Sequence, residues 1–119
     1  KGAEIVGDFF RAGIPIVAGT DNFVPVFSLY LELEIYHKLA GLTPLEAIQT
    51  ATIIPAKVMG IDSETGTLEI GKEADIAILD ENPLLDISNI RTVSAVITNG
   101  NYYESNPLWE AVDFQPKNN

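Results

Sequence analysis

The hydrophobic pattern changes period near the middle of the chain: helical spacing dominates up to Gly60, and alternation dominates beyond it. Ile5, Val6, Phe9 and Phe10 share one helical face within residues 4–12, and Gly13 supplies a stop, so a helix is predicted there. The run Ile14-Pro15-Ile16-Val17-Ala18 reads as a short buried parallel strand, and residues 22–27, with Pro25, as the loop from that strand to the next helix. Leu31-Glu32-Leu33-Glu34-Ile35 alternates as a strand would. Helix is nevertheless predicted over 28–40, because the segment is long, Ser28 can cap it, Glu34 and Lys38 pair at i,i+4, and Gly41 ends it. Thr43-Pro44-Leu45-Glu46 is a helix start with a capping box and a pre-set first turn. Leu45, Ile48 and Ala51 or Thr52 form its buried face. Pro55 breaks or restarts the helix, leaving a short turn over 56–59 closed by Gly60.

Strands are predicted at 67–70, 74–79 and 92–98, with Asn99-Gly100 as a type I′ hairpin leading into Asn101-Tyr102-Tyr103. The rest is polar apart from Leu108, Trp109, Val112 and Phe114, and reads as a tail draped over a surface. The expected units are therefore 1–60, the last β/α elements of a barrel; 61–104, part of a composite β-sandwich domain; and 105–119, a C-terminal tail. A complete (β/α)8 barrel takes about 250 residues. With 119 residues, and with Lys1 already inside a helical pattern, the sequence is expected to be a piece of a longer one.

Composition narrows the partners. Apolar residues make up 46% of the chain, which supports a packed core. Seventeen acids against seven basic residues give a net charge of −10 with no basic cluster, so neither nucleic acid nor an anionic membrane surface is an expected partner. The absence of cysteine removes disulfides, thiolate metal sites and cysteine nucleophiles. The expected partners are a small-molecule substrate and further copies of the chain in a homo-oligomer, and the expected location is the cytoplasm.

Gly19-Thr20-Asp21 closes the first apolar run. An acid where a parallel strand runs out into a loop stands where α/β folds carry out chemistry, although the same tripeptide also makes a plain Asx turn or helix cap. His37, the only histidine, falls within the predicted 28–40 helix and reads as a partly exposed helix residue. Phe23, Val24 and Phe27 form either an apolar pocket wall or packing.

Four motifs in series carry a resemblance: residues 12–21 ending in Ala18-Gly19-Thr20-Asp21, Leu42-Thr43-Pro44-Leu45-Glu46-Ala47, Ala51-Thr52-Ile53-Ile54-Pro55-Ala56 with Met59-Gly60, and 66–76 with Gly71-Lys72-Glu73-Ala74-Asp75. In order and spacing they resemble the C-terminal part of the metal-dependent amidohydrolase family, in its imidazolonepropionase-like and prolidase-like branch. The resemblance implies a (β/α)8 barrel flanked by a β-sandwich. It implies hydrolysis of a C–N bond in an amide, cyclic amide or dipeptide-like substrate, with Asp21 as both metal ligand and catalytic general base. The implied cofactor is a divalent metal, zinc foremost, in the full-length protein. The family's histidine ligands are absent from this sequence, so the chain alone is expected to be inactive and metal-free. Lys57 and Glu73 read as surface residues and Asp75 as structural. Ile54 stands where the family commonly has Asn, which removes a cap from the short helix. Two alternatives stay open: a deaminase of the same family, and a non-catalytic amidohydrolase-like scaffold.

Overall fold

The helix over 28–40 forms because its apolar residues find a second helix and a short turn to pack against. The structure, a computed structural model, describes residues 2–21 and 27–111. Helices α1 (Gly2–Arg11), α2 (Phe27–Lys38), α3 (Pro44–Gln49) and α4 (Ile53–Met59) precede strands β1 (Ile76–Leu79), β2 (Val93–Thr98) and β3 (Asn101–Glu104), and helix α5 (Ser105–Ala111) follows. A 3-10 turn, Ile87–Arg91, joins β1 to β2. Among the described residues no helix is long and apolar enough to cross a membrane.

The core sits where α2, α3 and the 3-10 turn meet. Leu33, Ala47 and Ile87 are at most 2% exposed, and Ala18, Tyr36, Ile48, Ala51 and Ile90 pack around them. Arg91 reinforces this junction from outside: its Nε donates to Glu34 Oε1 at 2.6 Å and its guanidinium lies over the rings of Phe27 and Tyr30. Glu34 also takes Lys38, the i,i+4 pair predicted from the sequence. Helix α1 approaches the end of α2 through Gly7, where a Cβ would stand 2.0 Å from the Ala40 carbonyl oxygen. Only glycine permits that approach.

The capping box forms as predicted. Thr43 N–H donates to Glu46 Oε2 at 2.7 Å and Glu46 N–H to Thr43 Oγ1 at 3.3 Å. The Thr43 backbone bond, then its hydroxyl, hold the Glu46 carboxyl below the usual carboxylate range. The next helix runs over Ile53–Met59 rather than as a turn over 56–59. Pro55 falls in its first turn, where a missing N–H costs no helical bond. Its N-cap, Thr52, makes no side-chain cap bond, and Gly60 closes it in the left-handed conformation.

The sheet is antiparallel in the order β1-β2-β3, with Ala77 opposite Val96 and Val96 opposite Tyr103. Asn99 and Gly100 take φ of 48° and 74°, the type I′ geometry, and Thr98 pairs with Asn101. Two predicted strands do not form among the described residues. Residues 67–70 make a loop organised by Lys72, whose Nζ donates to the Asp62 carbonyl at 2.6 Å and to Thr67 Oγ1 at 2.7 Å, and Ile70 is fully exposed. Residues 14–18 run without a ladder partner; within them Ala18 N–H donates to the Thr50 carbonyl at 2.9 Å. An apolar run becomes a strand only where another strand takes its backbone groups. The predicted tail is helical over Ser105–Ala111, packed on β2, and the rest of it lies outside the described residues.

Candidate functional site

Asp21 is reached through two anchored peptide groups. Ala18 is drawn toward the core by its bond to Thr50, a fully buried residue whose own hydroxyl donates to the Ala47 carbonyl at 2.6 Å. Gly19 N–H then donates to Glu32 Oε1, on α2, at 3.1 Å. The chain turns at Asp21, which takes φ of 48°, and the side chain is exposed. Aspartate is one of the few L-residues that adopt this left-handed conformation at modest cost.

Glu32 receives a second bond on the same oxygen, from the Tyr36 hydroxyl one turn along α2. Burial, and then that bond and the Glu32 charge, raise the Tyr36 phenol well above its usual range, so it remains a donor at any working pH. The other carboxylate oxygen, Oε2, is buried and has no hydrogen-bond partner among the described residues. Sequence reasoning missed both residues as part of this site. The signal was an acid four positions before a tyrosine on a mostly apolar helix, hidden by the alternation of Leu31 to Ile35.

The other candidates separate from Asp21. His37 Nδ1 lies 2.7 Å from the Leu42 carbonyl, an acceptor only, so Nδ1 carries the proton and the ring closes the end of α2. Asp75 accepts from Thr98 Oγ1 at 2.7 Å and ties the approach to β1 to the end of β2. Glu73 is exposed. Lys57 is exposed beside an open groove of about 440 Å³ lined by Phe10, Ile14, Pro15, Ile54 and Val58. Phe23 and Val24 lie outside the described residues, and Phe27 packs beneath Arg91.

No three His, Cys, Asp or Glu side chains gather as a metal site among the described residues. A catalytic zinc needs three protein ligands, and Asp21 offers one carboxylate, so the described residues do not fit a self-contained metal centre.

A family model described as the amidohydrolase family matches residues 1–102, a span that includes Asp21, Glu32, β1 and β2. The chain belongs to the amidohydrolase family. An ochratoxinase of Aspergillus niger is 41% identical over 87 residues, 72% of this chain and 18% of that protein. An imidazolonepropionase of Thermoplasma volcanium is 32% identical over 101 residues, 77% of this chain and 24% of that protein. The crystal structure of an Xaa-Pro dipeptidase with bound methionine in its active site superposes with a TM-score of 0.76 at 32% identity, covering 86% of this chain and 25% of that one. The imidazolonepropionase-like and prolidase-like kinship expected from the motifs is thus found. This amidohydrolase chain spans between about a fifth and a quarter of the length of these relatives.

Proposed function

We propose that this chain is the C-terminal part of an amidohydrolase that cleaves a C–N bond in an amide, cyclic amide or dipeptide-like substrate, with Asp21 as the acid–base group. In this reading residues 1–60 are the last elements of a (β/α)8 barrel, 14–18 being a barrel strand whose neighbours belong to the rest of the protein. Residues 61–104 are part of the flanking β-sandwich and 105–119 the terminal tail. Relatives named for an ochratoxin, an imidazolonepropionate and an Xaa-Pro dipeptide support a hydrolase of small amide-like molecules. The observation that carries the assignment is Asp21 itself: an exposed carboxylate beyond the apolar run, on backbone anchored two and three residues earlier, at Gly19 by Glu32 and at Ala18 by Thr50.

A carboxylate there can take the proton of the attacking water as the new C–O bond forms, and deliver it to the nitrogen as the C–N bond breaks. The divalent metal that the family generally uses would draw its remaining ligands from outside this chain. In the full-length protein, Asp21→Asn keeps the side chain's size but cannot accept that proton. Turnover should fall by about 100- to 10,000-fold. Thermal stability and KM should stay close to the parent's, and Asp75→Asn should leave turnover unchanged. The assay is steady-state kinetics on a panel of N-acyl amino acids and Xaa-Pro dipeptides at matched metal content. Parent-like turnover of Asp21→Asn refutes the assignment.

A further inference from the structure

We propose that Glu32 is a positioning residue for Asp21: its carboxylate grips the Gly19 peptide from α2, and Tyr36 grips the carboxylate. This inference rests on the acid–base reading of Asp21. Among the described hydrogen bonds, those that hold residues 15–21 to the rest of the chain are Ala18 N–H to the Thr50 carbonyl at 2.9 Å and Gly19 N–H to Glu32 Oε1 at 3.1 Å. The second lies nearer to Asp21, two residues on, where the backbone takes its left-handed turn. Gly19 directly follows the apolar run 14–18, so its bond to α2 fixes the backbone where that run ends, whatever neighbours residues 14–18 have in the longer protein.

The chemistry of the bond favours positioning over packing. Burying part of a carboxylate beside the core costs solvation, and an apolar residue would pack there without that cost. What the carboxylate adds is a charge-assisted acceptor, roughly twice as strong as a neutral one, for a backbone donor thirteen residues away. Tyr36 sets its orientation, because both donors converge on Oε1. The buried Oε2 has no hydrogen-bond partner among the described residues, so the carboxylate is fixed through Oε1, the atom that takes Gly19.

The test uses the full-length protein with Glu32→Ala, Glu32→Gln and Tyr36→Phe, each alone, and Glu32→Ala again in the Asp21→Asn background. Hydrogen exchange resolved to the peptide spanning residues 14–21 is measured beside steady-state kinetics. Glu32→Ala should speed exchange of that peptide and lower kcat by about 100-fold, the loss typical of a catalytic group displaced by about 1 Å, with KM and melting temperature near the parent's. Glu32→Gln keeps an oxygen for Gly19 and should recover slow exchange and a kcat within about 10-fold of the parent. In the Asp21→Asn background, Glu32→Ala should cost little more.

Equal losses in Glu32→Ala and Glu32→Gln overturn the inference, because the charge and not the tether would then matter. So does unchanged exchange, or parent kcat, in Glu32→Ala. If Glu32→Ala does not fold, Tyr36→Phe decides: faster exchange with lower kcat supports the tether, and no change in either overturns it. Should Asp21→Asn turn over like the parent, the functional reading fails and this inference with it. Should Asp21→Asn be inactive while Glu32→Ala works normally, this inference fails alone.

Discussion

Ile14-Pro15-Ile16-Val17-Ala18 and Val93-Ser94-Ala95-Val96-Ile97 are apolar runs of similar make-up, yet only the second is a strand among the described residues. Residues 93–97 have β1 on one side and β3 on the other, the latter delivered by a two-residue turn. Among the described residues, 14–18 have no such neighbour: Ile14 bonds back to the Phe9 carbonyl, Ala18 to that of Thr50, and Gly19, just beyond, to Glu32. The difference lies outside the segments themselves. Local pattern states which residues would suit a pleated surface, and pairing decides whether that surface exists. Exposure tells the same story: Ala95 in β2 is 1% exposed, whereas Ile14 and Val17 are more than 40% exposed. Phe9 and Val58 are likewise exposed.

The largest effect should come from cutting the link that binds the paired region to the helices. Ile87 is 1% exposed, and its 3-10 turn wedges against α2 just before β2 begins. Ile87→Ala should destabilise by about 2–5 kcal/mol through lost burial and the cavity left behind, read from urea denaturation. A loss below 1 kcal/mol would mean that the sheet and the helices are stable independently, and the paired region would owe nothing to the core.

Parts of this architecture were legible because their information is local. Thr43 and Glu46 satisfy each other's backbone within one turn, and Asn99-Gly100 sets the hairpin by conformation alone, so both follow from the sequence. The 3-10 turn at 87–91 was not legible, because Ile87 becomes a core residue only through α2 and α3, which are far from it in sequence. Residues 67–70 misled in the other direction: Leu68 and Ile70 alternate with polar neighbours, but both are largely exposed. At the candidate site the position of Asp21 beyond the apolar run was legible, while Glu32 was not, since its bond to Gly19 depends on how α2 returns across that run. Helix α5 was hidden by its polar composition; packing on β2 supports it.

A middle-sized effect should follow from spoiling the turn that gives β2 its second neighbour. Gly100 has φ of 74°, a conformation that a β-branched residue adopts only under strain. Gly100→Val should cost about 1–2 kcal/mol. The loss should be local: amide exchange should quicken at 95–104, while α2 and α3 remain protected. Equal loosening across the whole chain would show that the hairpin and the core form one cooperative unit.

The smallest effect is the most telling, because it compares matched valines in the two runs. Val96 lies opposite Ala77 and Tyr103 in the sheet, and Val17 is 42% exposed with no ladder partner among the described residues. In this 119-residue chain Val17→Ala should therefore change stability by less than about 0.5 kcal/mol. Val96→Ala should cost about 1 kcal/mol, the loss expected for a partly buried strand position. In the full-length protein the two should converge, because there the proposed neighbouring strands would cover Val17 and its two lost carbons would count for about 1–2 kcal/mol. The measurement is a urea midpoint for both variants in both lengths of chain. A Val17→Ala cost that stays near zero in the longer protein would leave residues 14–18 unpaired there as well, and the barrel strand proposed for them would have to be given up.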